Sequence, residues 1–307
     1  MKILILAILT LLFTHCAQPQ EGHIQNNQKQ DTKLPANTED TIITEIENQT
    51  IEDRTQILKR LSNKIDNNKP LIVHVFVPLC DNENQGIVPT TESLGNGMSL
   101  KSNLYWATSK GVKRYFKELP NWKLIKNEFD IDSNVLERVV FKKEYKNKAK
   151  VFLITDAYRG DRMNACLADY FNSLSGNRID SIFIEGQKYE VATNSDLIIF
   201  NGHNGLMDDH PNVSPVKKHF PKDAVAIACI SGKYFKGYYE YTNSYPLVNT
   251  NHLLYPGAFI IEEIINKWAE LGSAQECKIA AGKSYYKHKP KSGPKGAQNL
   301  FNYGWDF

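Results

Sequence analysis

Four short apolar runs punctuate the chain: Leu71–Val77, Val151–Thr155, Leu197–Phe200 and Ala224–Ala228. They lack the polar alternation of a half-exposed strand, and unbroken runs of this length are the pattern of parallel strands covered on both faces. Between and after them the apolar period changes to that of a helix. Gln56–Ile65 carries Ile57, Leu58, Leu61 and Ile65 on one face, Asp161–Leu174 carries Met163, Leu167, Tyr170, Phe171 and Leu174, and Pro256–Leu271 carries Ile261, Ile264, Ile265, Trp268 and Leu271. Residues 106–125 are expected to hold a further helix and a connection. Strands alternating with helices predict an α/β fold, a mostly parallel sheet with flanking helices. The stretch 81–103 shows neither period and contains Gly86, Pro89, Gly95 and Gly97, which predicts a long surface loop of the kind that binds something.

The amino terminus reads differently. Lys2, the apolar run Ile3–Phe13 and then Cys16 form an export signal too short to span a bilayer. The ending Leu12-Phe13-Thr14-His15-Cys16 resembles a bacterial lipoprotein signal, which implies lipidation at Cys16, attachment to a membrane, and a place in the cell envelope facing the periplasm or the surface. Residues 17–52 are mostly Asn, Gln, Thr, Asp and Glu and cannot bury enough apolar surface to offset their ordering entropy, so a flexible polar tether is expected. Three parts follow: residues 1–16 as signal peptide, 17–52 as tether, and 53–307 as one α/β domain. A net charge of +3 over 307 residues gives no reason to expect nucleic acid. No Walker or dinucleotide fingerprint is present, and no cofactor is implied. The basic cluster Lys283, Lys287, His288, Lys289, Lys291 and Lys295 is expected in a solvated, partly disordered tail segment, with contact to an anionic lipid or polymer as the alternative.

Chemistry-bearing residues stand just after each apolar run: Cys80 and Asp81, then Asp156 and Arg159, then His203 and Asn204, then Cys229 and Ser231. If the strands are parallel, these positions converge on one edge of the sheet. His203 and Cys229 end their runs most abruptly, and a thiol beside an imidazole supports acyl transfer through a thiolate. The backbone amides of Cys229 and of Asn204 or Gly205 are candidates for an oxyanion site, and Asp81, Asp156 and Arg159 for substrate binding, Arg159 by gripping a carboxylate with its guanidinium fork.

A histidine ending one strand beside glycines, followed by Ala-Cys ending the next, resembles the caspase-fold cysteine peptidases over Asp196–Lys233. The resemblance implies a three-layer caspase-like architecture, Cys229 as nucleophile, His203 as general base, and a peptide or protein as substrate. Three other readings stay open. Cys80, Cys166, Cys229 and Cys277 would make two disulfides in an exported protein, or Cys229 would be an inert buried thiol. His203, Asp208 and His210 would serve a metal-dependent hydrolase. A non-catalytic surface lipoprotein would bind a peptide, glycan or protein at the same edge, with the aromatic stretch Tyr234–Tyr245 as a stacking surface or, more simply, as a satellite cluster under a loop.

Overall fold

Strand β1 (Leu71–Pro78) is buried along all eight of its residues. Its alternate side chains go to two different cores: Val73, Val75 and Val77 to one, Ile72 and Phe76 to the other side. Burying each such side chain is worth about 2 kcal/mol relative to exposure. The surroundings come from a computed structural model that describes residues 53–306, so the expected signal peptide, Cys16 and tether lie outside the described residues.

In chain order α1 (Thr55–Asp66) precedes β1. After β1 come α2 (Val112–Glu118), β2 (Lys123–Phe129), β3 (Val135–Glu144), β4 (Lys150–Tyr158), α3 (Met163–Leu174), β5 (Ile179–Ile184) and β6 (Gln187–Ala192). The remainder is β7 (Leu197–Asn201), β8 (Asp223–Ile227), α4 (Ser231–Tyr241), β9 (Tyr245–Thr250), α5 (Ala258–Ala269), α6 (Ala274–His288), α7 (Pro294–Asn299) and β10 (Phe301–Tyr303). The main sheet has the order β10-β9-β8-β7-β1-β4-β3-β2, while β5 and β6 form a separate hairpin. Strands β9, β8, β7, β1 and β4 are mutually parallel, and antiparallel strands close both margins. The α/β expectation is therefore met. One face is covered by apolar residues of α1, α2, α5, α6 and α7, the other by α3, α4 and the β5–β6 hairpin.

Because β4 and β7 flank β1 on opposite sides, the direction of strand addition reverses there, and the crevice outside the carboxyl ends of such strands is where open α/β sheets take ligands. The opposite edge is tied down by charge. Asp223 receives the Arg54 fork at 2.8 and 2.7 Å and Trp268 Nε1 at 2.9 Å, while Asp196 receives Ile72 N at 2.8 Å and pairs with Arg60 and Lys64 of α1.

Three expectations need correction. The basic segment is not a disordered tail: Lys283, Lys287 and His288 lie in α6, which starts with a reciprocal capping box between Ser273 and Glu276, and the chain continues through a short turn into α7. The aromatic stretch after Cys229 is no satellite, since α4 places Phe235 and Tyr239 in the core of the sheet's second face, with Tyr239 Oη 3.0 Å from Tyr170 Oη. No disulfide forms among the four described cysteines, which are all free.

Candidate functional site

His203 and Cys229 arrive at the carboxyl edge by equal overhangs. The β7–β8 register pairs Phe200 with Ala226 and Asn201 with Ile227, so both side chains stand two residues beyond the last paired position. Neighbouring strands run about 4.8 Å apart. The ladder persists one step further, with Gly202 N donating to Ile227 O at 3.2 Å. Asn204 Nδ2 then donates to Cys229 O at 2.6 Å and ties the two ends together. Glycine is needed at 202, because a Cβ there would come 2.9 Å from Pro78 Cγ at the end of β1.

Between Cys229 and α4 the chain turns within one residue, and Ile230 takes up the change at φ 51°, ψ 36°. A β-branched side chain in the left-handed region is strained, and such strain persists only where the surroundings impose it. Here they do. Ile230 N donates to His252 O at 3.2 Å, Ser231 N donates to Thr250 Oγ1 at 3.0 Å, Thr250 N donates to Ser231 Oγ at 3.0 Å, and Thr250 Oγ1 donates to Ala228 O.

Cys229 is partly exposed, whereas Cys80, Cys166 and Cys277 are buried. Burial pushes the Cys80 thiol up to about 11 and the Cys277 thiol up to about 12, which keeps both protonated and inert. The inert-thiol reading therefore suits those three better than Cys229. The Cys229 Sγ donates to Leu254 O at 3.7 Å, and no hydrogen bond joins it to the imidazole among the described residues. His203 is 9% exposed in its side chain and holds Asp208 Oδ2 at 2.7 Å through Nε2, leaving Nδ1 for a second partner. Asp208 is itself approached by the long loop after β1, where a Cβ on Gly86 would come 2.7 Å from Oδ1. Of the proposed oxyanion amides, Gly205 N is committed to His203 O at 3.1 Å; Asn204 N and Cys229 N have no acceptor among the described residues.

The remaining candidates are differently placed. Asp156 is fully buried, with the Arg138 fork at 2.6 and 2.7 Å and His74 Nε2 at 2.9 Å, so it braces the sheet interior where no substrate reaches. Burial pushes its carboxyl up, but the Arg138 guanidinium and then His74 outweigh this and hold it well below the usual carboxylate range. His74 is driven down by burial, so the neutral imidazole donates to a carboxylate kept ionised by Arg138. Asp81 is also spent within the protein: its oxygens accept from Glu83 N at 2.9 Å, Asn84 N at 3.1 Å and Asn84 Nδ2 at 3.0 Å, which folds the start of the loop. Arg159 stands at the end of β4, but its fork is filled by Asp161 at 2.9 and 2.8 Å. A carboxylate of the chain thus occupies the place expected for one of the substrate.

No group of three or more His, Cys, Asp or Glu among the described residues is disposed to hold a metal ion, and His210 N bonds to its neighbour Asp209. Sequence reasoning missed Asp208 as the partner of His203, although a carboxylate five residues on was the available signal. Ser231 was expected to complete the tight strand-to-helix turn and does so, but its partner Thr250 and the crossing segment around Leu254 were missed, neither of which has a local signature. Comparison with protein-family models, with curated proteins and with solved structures finds no match.

Proposed function

We propose that this chain is an exported, lipid-anchored cysteine hydrolase acting on peptide bonds, with Cys229 as nucleophile, His203 as general base and Asp208 orienting the imidazole. The lipid anchor would be Cys16 and the location the bacterial cell envelope. The observation that carries the proposal is the equal overhang of His203 and Cys229 on adjacent parallel strands, clipped together through Asn204, with the one partly exposed cysteine of the described four at a strained strand-to-helix turn. This is also the arrangement that the caspase-fold resemblance implies.

In this reading the Cys229 Sγ–H leaves Leu254 O, passes its proton to His203 Nδ1 and attacks the carbonyl carbon. Asp208 accepts from Nε2–H throughout, fixing the tautomer and stabilising the imidazolium. The carbonyl oxygen, now negative, is met by the Cys229 and Asn204 amides. The imidazolium protonates the leaving amine, and water, activated by the same base, releases the acid from the thioester.

The Sγ contact with Leu254 O also favours a second reading, a binding module whose thiol is a structural donor. Alkylation of the full chain by iodoacetamide across pH 5–9, mapped by mass spectrometry, together with a fluorogenic peptide library, separates the two. Catalysis predicts selective modification of Cys229, slowed by His203→Ala, and cleavage that Cys229→Ala abolishes. Reactivity equal to that of a free thiol, and cleavage that Cys229→Ala leaves intact, sink it.

A further inference from the structure

Helix α1 crosses the amino edge of the sheet. Arg54, which precedes it, holds Asp223 at the start of β8 at 2.8 and 2.7 Å, Arg60 and Lys64 share Asp196 just before β7, and β1 begins shortly after Lys69. Ile57, Leu61 and Ile65 form the buried ridge of the helix. Its other side, continued by Lys69, lines a cleft of about 430 Å³ with four cations, Lys59, Arg60, Lys64 and Lys69, and with side-chain amides between them. No carboxylate lines this cleft.

The charge of the cleft is only partly balanced. Arg60 and Lys64 pair with the single buried carboxylate of Asp196, and Arg60 is further fixed by Pro221 O at 3.1 Å and by the Phe220 ring, whose centroid lies 4.0 Å from its guanidinium carbon. Lys59 and Lys69 are exposed, and neither has a carboxylate within ion-pair distance among the described residues. Asp66, the acidic residue of α1, accepts from Ser62 Oγ at 3.3 Å and stands outside the cleft. An excess of cations with amide donors between them suits phosphate oxygens. The second basic cluster lies at the opposite edge: near the end of α6, Tyr285 Oη accepts from Tyr255 N at 3.4 Å, one residue from the Leu254 carbonyl that takes the Cys229 thiol. Chain connectivity separates the two clusters, because the residues leading back to Cys16 join the domain at Arg54, on the amino edge. A lipid at Cys16 would hold that edge close to a bilayer, and one lipid together with a basic patch is the combination that attaches a domain stably.

We propose that this face of α1 is a docking surface for an anionic phospholipid bilayer, its cleft taking a lipid phosphate, so that the domain sits on its amino edge and the Cys229 crevice opens away from the membrane. This rests on the lipid-anchor part of the reading above and is independent of the chemistry at Cys229. The five residues of β8 separate the two edges by about 16 Å. That exceeds the screening length of about 8 Å at physiological salt, so the charge of the bilayer leaves the crevice unaffected.

The test uses the full chain with Cys16→Ala, which cannot carry the lipid, and vesicles of phosphatidylcholine alone or in equal parts with phosphatidylglycerol. The ratio of the two partition coefficients cancels apolar insertion of Ile3–Phe13. Each unbalanced cation near an anionic surface contributes about fivefold, so a ratio of about 100 is expected at low salt, falling toward one at about 1 M. Lys59→Gln combined with Lys69→Gln should lower the ratio about 20-fold, and Lys287→Gln combined with Lys291→Gln should leave it unchanged. All four side chains are exposed, so neither pair of substitutions threatens folding. A ratio of one in the chain with its lysines intact, or a ratio carried by the α6 pair, overturns the surface. Glycerol phosphate at constant ionic strength should leave vesicle binding intact; displacement by it overturns the bilayer and makes the cleft a site for a soluble phosphate. Iodoacetamide should modify Cys229 equally fast in bound and free chain, and a slower rate when bound overturns the outward orientation. The anchor is read separately, from the mass of the Cys16 peptide in native membranes. An unmodified Cys16 with α1-dependent vesicle binding removes the anchor and upholds the surface; a lipid on Cys16 with a vesicle ratio of one keeps the anchor and overturns the surface.

Discussion

His203 has one nitrogen on Asp208 and the other without a partner among the described residues, and that asymmetry gives Asp208 a role that a solvated turn would not have. A carboxylate on Nε2 selects the tautomer whose Nδ1 lone pair can accept a proton. Asparagine at 208 can present its amide and favour the wrong tautomer. General-base assistance is worth about 10²- to 10⁴-fold in rate, and orientation is a part of it. Asp208→Asn is therefore expected to slow Cys229-dependent cleavage about 10- to 100-fold and to alter its pH–rate profile, with unfolding midpoints nearly unchanged, because the Asp208 side chain is 44% exposed. Stopped assays across pH, set beside thermal melts, read both effects. An unaltered pH–rate profile would remove Asp208 from the mechanism and leave it a loop contact of Gly86.

At the scale of elements, the turn joining β8 to α4 depends on hydroxyls supplied by two of them. Thr250, the last residue of β9, accepts from Ser231 N and donates to Ala228 O. Valine keeps the shape of threonine but strands a buried amide and a buried carbonyl, each costing about 1–3 kcal/mol when left unpaired. Thr250→Val should lower stability by about 2 kcal/mol in urea titrations and relax Ile230, with slower selective alkylation of Cys229. The buried parallel strands β1, β4, β7 and β8 and the helices α1, α3 and α5 packed on them were legible because their apolar runs and helical periods are uninterrupted. Margin strand β2 was not: its exposures alternate irregularly around a bulge between Leu124 and Lys126, and Lys123, Asn127 and Glu128 give it the look of a loop. Helix α6 was hidden by its lysines, since much of its buried side consists of Ala274, Ala280, Ala281 and Gly282 rather than large apolar residues. The edge that carries the site could be read because strand ends are marked by a change of chemistry. The partners of Asp81, Asp156 and Arg159 could not. Arg138 approaches Asp156 only through sheet pairing, and whether Asp161 fills the Arg159 fork depends on the turn's conformation.

Over the whole molecule, the buried ionisable groups make stability a function of pH with a definite shape. Asp156 is held below its ordinary range, so its contribution is complete above the unfolded carboxylate value and is lost as pH falls through the folded one. Lys222 works in another window. Fully buried at the amino edge, with Nζ on Ser173 O at 3.2 Å and Thr193 O at 2.6 Å, its ammonium is pushed down to about 7 by burial and then by the charge of Arg60. Between that value and its unfolded value of 10.5 the unfolded chain binds the extra proton, so stability rises with pH there. Integrated from pH 7 to 9, one such group contributes about 2 kcal/mol. Above pH 9 the unfolded thiols of Cys80 and Cys277 ionise while the buried ones resist, and stability turns down again. Urea unfolding of the full chain should therefore show its greatest stability near pH 9, and Lys222→Met should flatten the rise from pH 7 to 9 by about 2 kcal/mol. The same slope in both proteins would mean that the ammonium stays charged inside the fold, its burial compensated by Asp196 and the two carbonyls.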